Sequence, residues 1–129
     1  MSLSHLTRRS ASALAEAIRR REVSSEEVVR AHVERIDAIN SSVNAIVSYR
    51  PEEAIDRARE LDALQARGLS MGPLHGLPFA VKDLMDVAGF PPTHGSRLHV
   101  GTVATADSAI SGRIRGAGAC FVGQASTRE

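Results

Sequence analysis

The residue in this chain best placed to do chemistry is Lys82, which follows the apolar run Leu77–Val81. A run of about four to eight apolar residues between turn residues is typical of a buried β-strand. Pro78 fits only near the start of such a strand, because proline cannot donate a ladder hydrogen bond. Lys82 is therefore predicted at the carboxyl end of a strand buried on both faces. In open α/β sheets, ligands and catalytic groups collect at that edge.

Lys82 is also the only lysine among the sixteen Lys and Arg residues of the chain. Arginine stays protonated, whereas a desolvated lysine loses its proton and can then act as a base. Two interpretations remain open from the residues alone. Lys82 is either a general base that needs a neutral amine or a solvated lysine at the end of a strand.

A cysteine is a second candidate nucleophile. The chain has one cysteine, Cys120, which lies within the apolar run Ala119–Val122. A cysteine in such a run is either reactive or inert packing, and apolar surroundings favour packing. One cysteine cannot form a disulfide within the chain, which fits a reducing compartment.

Histidine is the commonest metal ligand, and the chain has five: His5, His32, His75, His94 and His99. No carboxylate and histidine are spaced to share one helix face, so no metal ligands are predicted. Isolated loop histidines are usually exposed or structural. His32 is expected to be partly buried beside the apolar stripe of its helix.

Glycine and serine motifs for cofactors or nucleophiles are absent from the sequence. Gly112, Gly116 and Gly118 close a predicted helix and precede a strand, the reverse of the dinucleotide-binding order. No Gly-x-Ser-x-Gly elbow occurs, and Ser96 is expected in a turn. The sequence therefore predicts no cofactor.

Helical periodicity predicts three helices in the first half of the chain, at 10–21, 24–40 and 52–67. The run Arg19–Arg21 either contacts RNA or closes the first helix, and the near-neutral total charge favours the helix end. Residues 43–49 are predicted to be a short strand or extended segment. The expected start and stop residues are Ser10 or Ser12 for the first helix, Ser24 with Glu27 for the second, and Pro51 and Gly68 for the third.

The second half of the chain predicts a parallel β-α-β unit. The irregular segment 83–106 is expected to shape a site, because loops longer than about 15 residues are uncommon unless functional. A helix at 107–117, with Ile110 and Ile114 inward, then leads to a second buried strand at Ala119–Val122. The crossover between the two strands is expected to be right-handed.

Composition and charge exclude several classes of partner. The chain has a net charge of +1 and 3% aromatic residues, which argues against nucleic-acid binding. Its first twenty residues carry several charges and no long apolar run, so neither a signal peptide nor a membrane span is predicted. We therefore expect a cytoplasmic protein with no nucleic-acid or membrane partner.

The stretch Gly72–Asp83, which reads GPLHGLPFAVKD, closely resembles the start of the amidase signature family. The resemblance implies an α/β fold, namely the amino-terminal part of the amidase signature fold, with a mixed sheet flanked by helices and incomplete in this chain. Residues 1–129 would be part of a single domain, with 1–70 mainly helical and 71–129 holding the lysine strand, long loop, helix and strand. Similarity is weaker over 1–70, and the other similar segments are Val87–Gly89, Pro92–Ser96 and Asp107–Gly123.

The resemblance implies a chemistry for the lysine. Enzymes of this family hydrolyse or transfer amides through a Ser–cis-Ser–Lys triad, and Lys82 matches the triad lysine. Both family serines lie in a downstream Gly/Ser-rich segment that the 129 residues do not contain, and Gln124 and Ser126 depart from the usual Lys-Thr-Asn-Thr-Pro. We therefore expect a truncated amidase, inactive alone, whose complete form acts on a small-molecule amide without a metal or cofactor.

A different class of function also remains open, a non-catalytic α/β module that binds a partner chain. The two predicted strands are apolar on both faces, while the three helices can cover only one face of a small sheet. Bare faces and unpaired strand edges favour association with other chains. Homo-oligomers or a complementing carboxyl-terminal chain are the expected partners. The DNA after codon 129 separates the two interpretations, because a Gly-Gly-Ser-Ser-like segment there favours the truncated enzyme.

Overall fold

The computed structural model describes residues 3–82, 85–91 and 103–126, and these ranges form a three-stranded sheet with helices on both faces. The strand order is β1-β3-β2, with β3 antiparallel to β1 and parallel to β2. The predicted parallel pairing of the two apolar strands is thereby confirmed. In chain order the elements are α1 (Leu3–Leu6), α2 (Ala11–Arg19), α3 (Ser25–Val43), β1 (Ile46–Tyr49), α4 (Pro51–Ala66), β2 (Pro78–Lys82), α5 (Ala109–Gly116) and β3 (Cys120–Ala125).

The helices begin at the predicted caps. The Ser10 hydroxyl accepts a hydrogen bond from the Ala13 N–H at 3.1 Å, and Ser24 and Glu27 form the predicted capping box. At the end of α2, Arg19 and Arg20 both pair with Glu16, as expected for a helix end. The short helix α1 is an addition that the sequence pattern did not predict. Among the helices of the described ranges, none combines the length and the apolar character that a membrane span requires.

Three apolar clusters hold these elements together. One joins the first turns of the chain to α2, α3 and the residue before β2, another packs α3 and α4 on one sheet face, and the third covers the opposite face. The opposite face was expected to be bare, but α5 and residues 85–91 cover it through Ile114, Val87 and Phe90, against which Phe121 packs. That prediction was wrong because the crossover itself supplies the second layer.

Two further burial predictions were wrong. The strand β2 is not buried on both faces, because Ala80 and Lys82 are exposed while Val81 is buried. Helices α3 and α4 pack on Cys120 and Val122 of the central strand β3, while Ala80 of the outer strand stays exposed. On α5, Ile110 points outward with 53% of its surface exposed, and Ser111 is buried in its place.

Gly123 allows β1 to approach β3 closely. The register of β3 shifts against both neighbours here, between Ile46 and Ser48 on one side and between Phe79 and Ala80 on the other. A Cβ atom added to Gly123 would lie 2.7 Å from the Ile46 Cγ2 atom and even closer to the Ser48 carbonyl oxygen. The close approach of β1 to β3 therefore needs a glycine at this position.

Candidate active site

Lys82 is the last residue of β2, and its partner on the parallel strand β3 is Ala125. The Lys82 carbonyl oxygen accepts a hydrogen bond from the Met85 N–H at 3.0 Å. The Lys82 side chain is exposed in this chain. The predicted location is confirmed, and Lys82, Ala125 and the exposed Ser126 share the carboxyl edge of the sheet.

Gln124, which the sequence marks as a departure from the usual family motif, is a second feature of this edge. Its side chain is fully buried, and neither its Oε1 nor its Nε2 atom has a hydrogen-bond partner in the described part of the chain. It lies in register with Val81 on β2 and Ser48 on β1. Buried amides are nearly always paired, so Gln124 has hydrogen-bonding capacity that these residues leave unused. A polar residue within the buried strand Cys120–Ala125 was the available signal.

The segment after the lysine is tied to α5 through Asp107. The Asp107 carboxylate accepts hydrogen bonds from the Ala88 N–H at 2.8 Å and from Arg115 Nε at 2.8 Å. The Asp86 carbonyl also accepts a hydrogen bond from the Ser108 N–H at 2.9 Å. The hydrogen bond from Arg115, assisted by that from Ala88, lowers the pKa of Asp107 below its usual value. These hydrogen bonds fix the position of residues 85–91 relative to α5.

We expect Asp107→Asn to lower the free energy of unfolding by about 1–2 kcal/mol at pH 7, because it removes the charge-assisted bonds to Arg115. The folded-state pKa of Asp107 is lowered, so its stabilisation is present above the ordinary carboxyl pKa. The stabilisation disappears as pH falls through the folded-state value. Thermal melts at pH 7 and near pH 3 should therefore show a difference from the parent chain that shrinks in acid. The matched control is Asp56→Asn, which changes an exposed carboxyl on α4. Equal melting temperatures for the two variants at pH 7 would contradict the prediction.

Cys120 and the described histidines have structural positions. Cys120 is fully buried, and burial raises the pKa of its thiol to about 12, which makes it inert packing. His75 is buried, its Nδ1 accepts a hydrogen bond from the Met71 N–H at 3.1 Å, and burial lowers its pKa. His32 is half-buried as predicted, with Nδ1 2.8 Å from the Val28 carbonyl oxygen.

The other histidine and serine predictions fall partly outside the described residues. His94, His99, Ser96 and the middle of the long loop lie there, and His5 is exposed at the end of α1. Within the described ranges, no group of three or more His, Cys, Asp or Glu side chains is arranged to hold a metal ion. Lys82 and the buried Gln124 are therefore the chemically notable residues at the described part of this edge.

The sequence of the chain is similar to those of known amide-processing proteins. The chain is 39% identical over 120 residues to an acylamidase of Rhodococcus erythropolis, covering 93% of this chain and 25% of that protein. It is 41% identical over 127 residues to a glutamyl-tRNA(Gln) amidotransferase subunit from Salinispora arenicola, covering 98% of this chain and 26% of that protein. The chain thus spans about a quarter of the length of the curated relatives it matches.

Solved structures and a family model agree with these relatives. The fold superimposes on a fatty acid amide hydrolase with a TM-score of 0.89 at 26% identity, covering 98% of this chain and 22% of that one. It superimposes on the peptide amidase of Stenotrophomonas maltophilia with a TM-score of 0.84 at 26% identity, covering 92% of this chain and 24% of that one. The model of the Amidase family matches residues 27–129. Sequence, fold and family model therefore show that the chain belongs to the amidase family.

Proposed function

We propose that this chain supplies the general base of an amide-hydrolysing active site, and that Lys82 is that base. The observation that carries the proposal is the position of the only lysine, at the carboxyl end of β2 beside the parallel strand β3, in an amidase-family chain. Catalytic groups of α/β folds collect at this edge. An arginine at the same position could not accept a proton.

The mechanism follows from the triad that the family resemblance implies. A neutral Lys82 amine accepts a proton from a bridging serine, which in turn takes the proton of the nucleophilic serine. The nucleophile attacks the amide carbonyl, and backbone N–H groups stabilise the oxyanion. The amine then leaves with the proton that Lys82 returns through the bridging serine, which gives an acyl-enzyme. Water hydrolyses the acyl-enzyme, or ammonia takes the acyl group. Neither serine is expected within residues 1–129.

The exposure of Lys82 in this chain bears on that mechanism. A lysine amine is neutral near pH 7 only where it is desolvated, and here the side chain is open to solvent. The remainder of the enzyme therefore has to cover the lysine as well as provide the serines. We propose that residues 1–129 form the amino-terminal part of one amidase domain, act on a small-molecule amide only when completed, and have no activity alone.

A chimera tests the proposal. This chain would replace the matching segment of the Rhodococcus erythropolis acylamidase, and hydrolysis of that enzyme's amide substrate would be measured. We expect the chimera to hydrolyse the amide and the 129-residue chain alone to show none. A folded but inactive chimera would contradict the proposal. If the isolated chain were also a monodisperse monomer with a sharp melt, a non-catalytic module that binds a partner would be the better account.

A further inference from the structure

The turn that leads into the lysine strand, residues 71–77, is held by the connection between α5 and β3. Two of its N–H groups donate hydrogen bonds of 3.0 Å to carbonyls of that connection, Leu74 to Ala117 and Gly76 to Gly118. The Leu77 carbonyl then accepts a hydrogen bond from the Cys120 N–H at 2.8 Å, and β2 pairs with β3 from the next residue onward. This turn therefore sets where β2 begins on β3, and Lys82 lies at the other end of the same strand.

His75 lies inside this turn and is buried, with 7% of its surface exposed. Its Nδ1 atom accepts a hydrogen bond from the Met71 N–H at 3.1 Å and so ties the turn back to its first residue. A Cβ atom added to Gly118 would lie 2.6 Å from the His75 Cα atom, so the connection between α5 and β3 runs directly against this residue. The ring is thus enclosed, and its hydrogen bond from Met71 closes the turn.

That hydrogen bond exists only while the ring is neutral. An imidazole nitrogen accepts a hydrogen bond only when it carries no proton, and both nitrogens of the charged ring are donors. The bond from Met71 therefore assigns the proton of the neutral ring to Nε2. A second proton would sit on Nδ1 and face the Met71 N–H, so two donors would meet in a buried site. Protonation of His75 thus breaks the bond that closes the turn.

The surroundings of His75 keep the ring neutral at pH 7. The charged side chains on its side of the helices are Arg57 and Asp62 of α4, and Glu16 and Arg19 of α2, which line a cavity of about 210 Å³ together with His75. Burial is the largest influence and lowers the pKa of His75. The Leu61 carbonyl and the Asp62 carboxylate raise this pKa to a smaller extent, and Arg57 lowers it. Glu16 and Arg19 pair with each other. The ring therefore becomes charged only below its ordinary pKa of about 6.5.

We propose that the neutral imidazole of His75 is a positioning group for the lysine strand, and that its protonation releases Met71 and loosens the turn from which β2 starts. A displacement at the start of β2 reaches Lys82, because the side chains of a strand move together with its register. The folded-state pKa of His75 is lowered, so its stabilisation is present above about pH 6.5 and is lost as pH falls through the folded-state value. The effect on turnover rests on the proposed function of Lys82, whereas the effect on the turn does not.

Two substitutions of His75 in the 129-residue chain test the hydrogen bond and its titration. In His75→Asn the amide oxygen takes the place of Nδ1 and accepts from Met71 at every pH, whereas His75→Leu leaves the Met71 N–H unpaired. At pH 8 we expect the Asn variant to melt within about 2 °C of the parent and the Leu variant at least about 4 °C lower. Between pH 8 and pH 5 the parent midpoint should fall by at least about 4 °C more than that of the Asn variant. His5→Asn, which removes an exposed histidine of α1, is the control and should follow the parent.

NMR and the amidase chimera measure the release and its consequence. The coupling between the Met71 and His75 nitrogens across their hydrogen bond should be present in the parent chain at pH 8. It should disappear as His75 titrates, and the protection of the β2 amides from hydrogen exchange should fall with it. In the chimera, the ratio of the His75→Asn rate to the parent rate should be about 1 at pH 8, about 2 at the His75 pKa measured by NMR, and about 10 one pH unit below it.

Each alternative outcome overturns a stated part of the inference. An Asn variant as unstable as the Leu variant at pH 8 would show that the acceptor at Nδ1 does not hold the turn. Equal losses of the parent and the Asn variant in acid, or a nitrogen coupling that survives the titration, would show that protonation does not release Met71. A constant rate ratio in an active chimera would show that the release does not reach Lys82. A chimera without activity at any pH would contradict the proposed function, while the melts and the NMR measurements still decide the role of His75.

Discussion

Lys82→Arg is expected to lower the turnover of the acylamidase chimera by about two to four orders of magnitude, the contribution typical of a general base. Arginine keeps the positive charge and the length of the side chain but does not release its proton near neutral pH. The bridging serine then has no proton acceptor, and the nucleophile is not activated. Because the side chain is exposed at the end of β2, the substitution should leave the fold of this part intact.

The measurement is the initial rate of amide hydrolysis at saturating substrate, together with a thermal melt of each variant. Arg67→Lys is the matched control, since it makes the reverse exchange at an exposed site just after α4. We expect the control to keep the parent rate and both variants to keep the parent melting temperature. Near-normal turnover of Lys82→Arg would show that Lys82 is a solvated strand-end residue, even if the chimera itself is active.

Gly123→Ala is expected to lower the melting midpoint of the 129-residue chain by about 10 °C, from a loss of about 3 kcal/mol. The added methyl group would meet the backbone carbonyl of Ser48 and the side chain of Ile46. A strand backbone cannot move aside as a flexible side chain can, so β1 must separate from β3. The loss should extend to Tyr49, whose hydroxyl donates a hydrogen bond to Asp37 at 2.9 Å and joins β1 to α3.

Gly116→Ala provides the control for that substitution. Gly116 is the last residue of α5, and a Cβ atom there would have no neighbour within 4 Å. Alanine is favoured over glycine in a helix by about 1 kcal/mol at most, so this variant should melt at or slightly above the parent temperature. Circular dichroism melts at equal concentration compare the three chains. Equal midpoints for the two glycine variants would show that β1 tolerates displacement and that the close approach is not required.

Local sequence patterns were sufficient to predict the elements other than α1, and the place of the lysine. Helix caps such as Ser10 and Ser24 are decided by hydrogen bonds within one turn, and the structure has both. The parallel pairing of β2 and β3 follows from a crossover that contains a helix. The location of Lys82 at the carboxyl edge follows from its place at the end of the apolar run and from this parallel pairing. It was therefore predictable without knowledge of the tertiary contacts.

Burial was only partly predictable, because it depends on which elements meet. Apolar composition alone cannot distinguish β3, which lies at the centre of the sheet, from β2, whose Ala80 and Lys82 are exposed at its edge. Helical periodicity showed that α5 is amphipathic but did not show which of its residues meet the sheet. Ile110 was therefore predicted to point inward, although Ser111 is the buried residue.

The remaining features of the site arise from long-range packing. The need for glycine at position 123 comes from its approach to Ser48, and the burial of Gln124 comes from its position between β1 and β2. A cleft beside β2 likewise combines Arg8 and Arg35 with Ala80, which lie far apart in the chain. A sequence by itself determines hydrogen bonds and periodicity over a few residues. Which distant surfaces come into contact, and which stay open, was decided here only when α3 and α4 packed on β3 and left β2 partly uncovered.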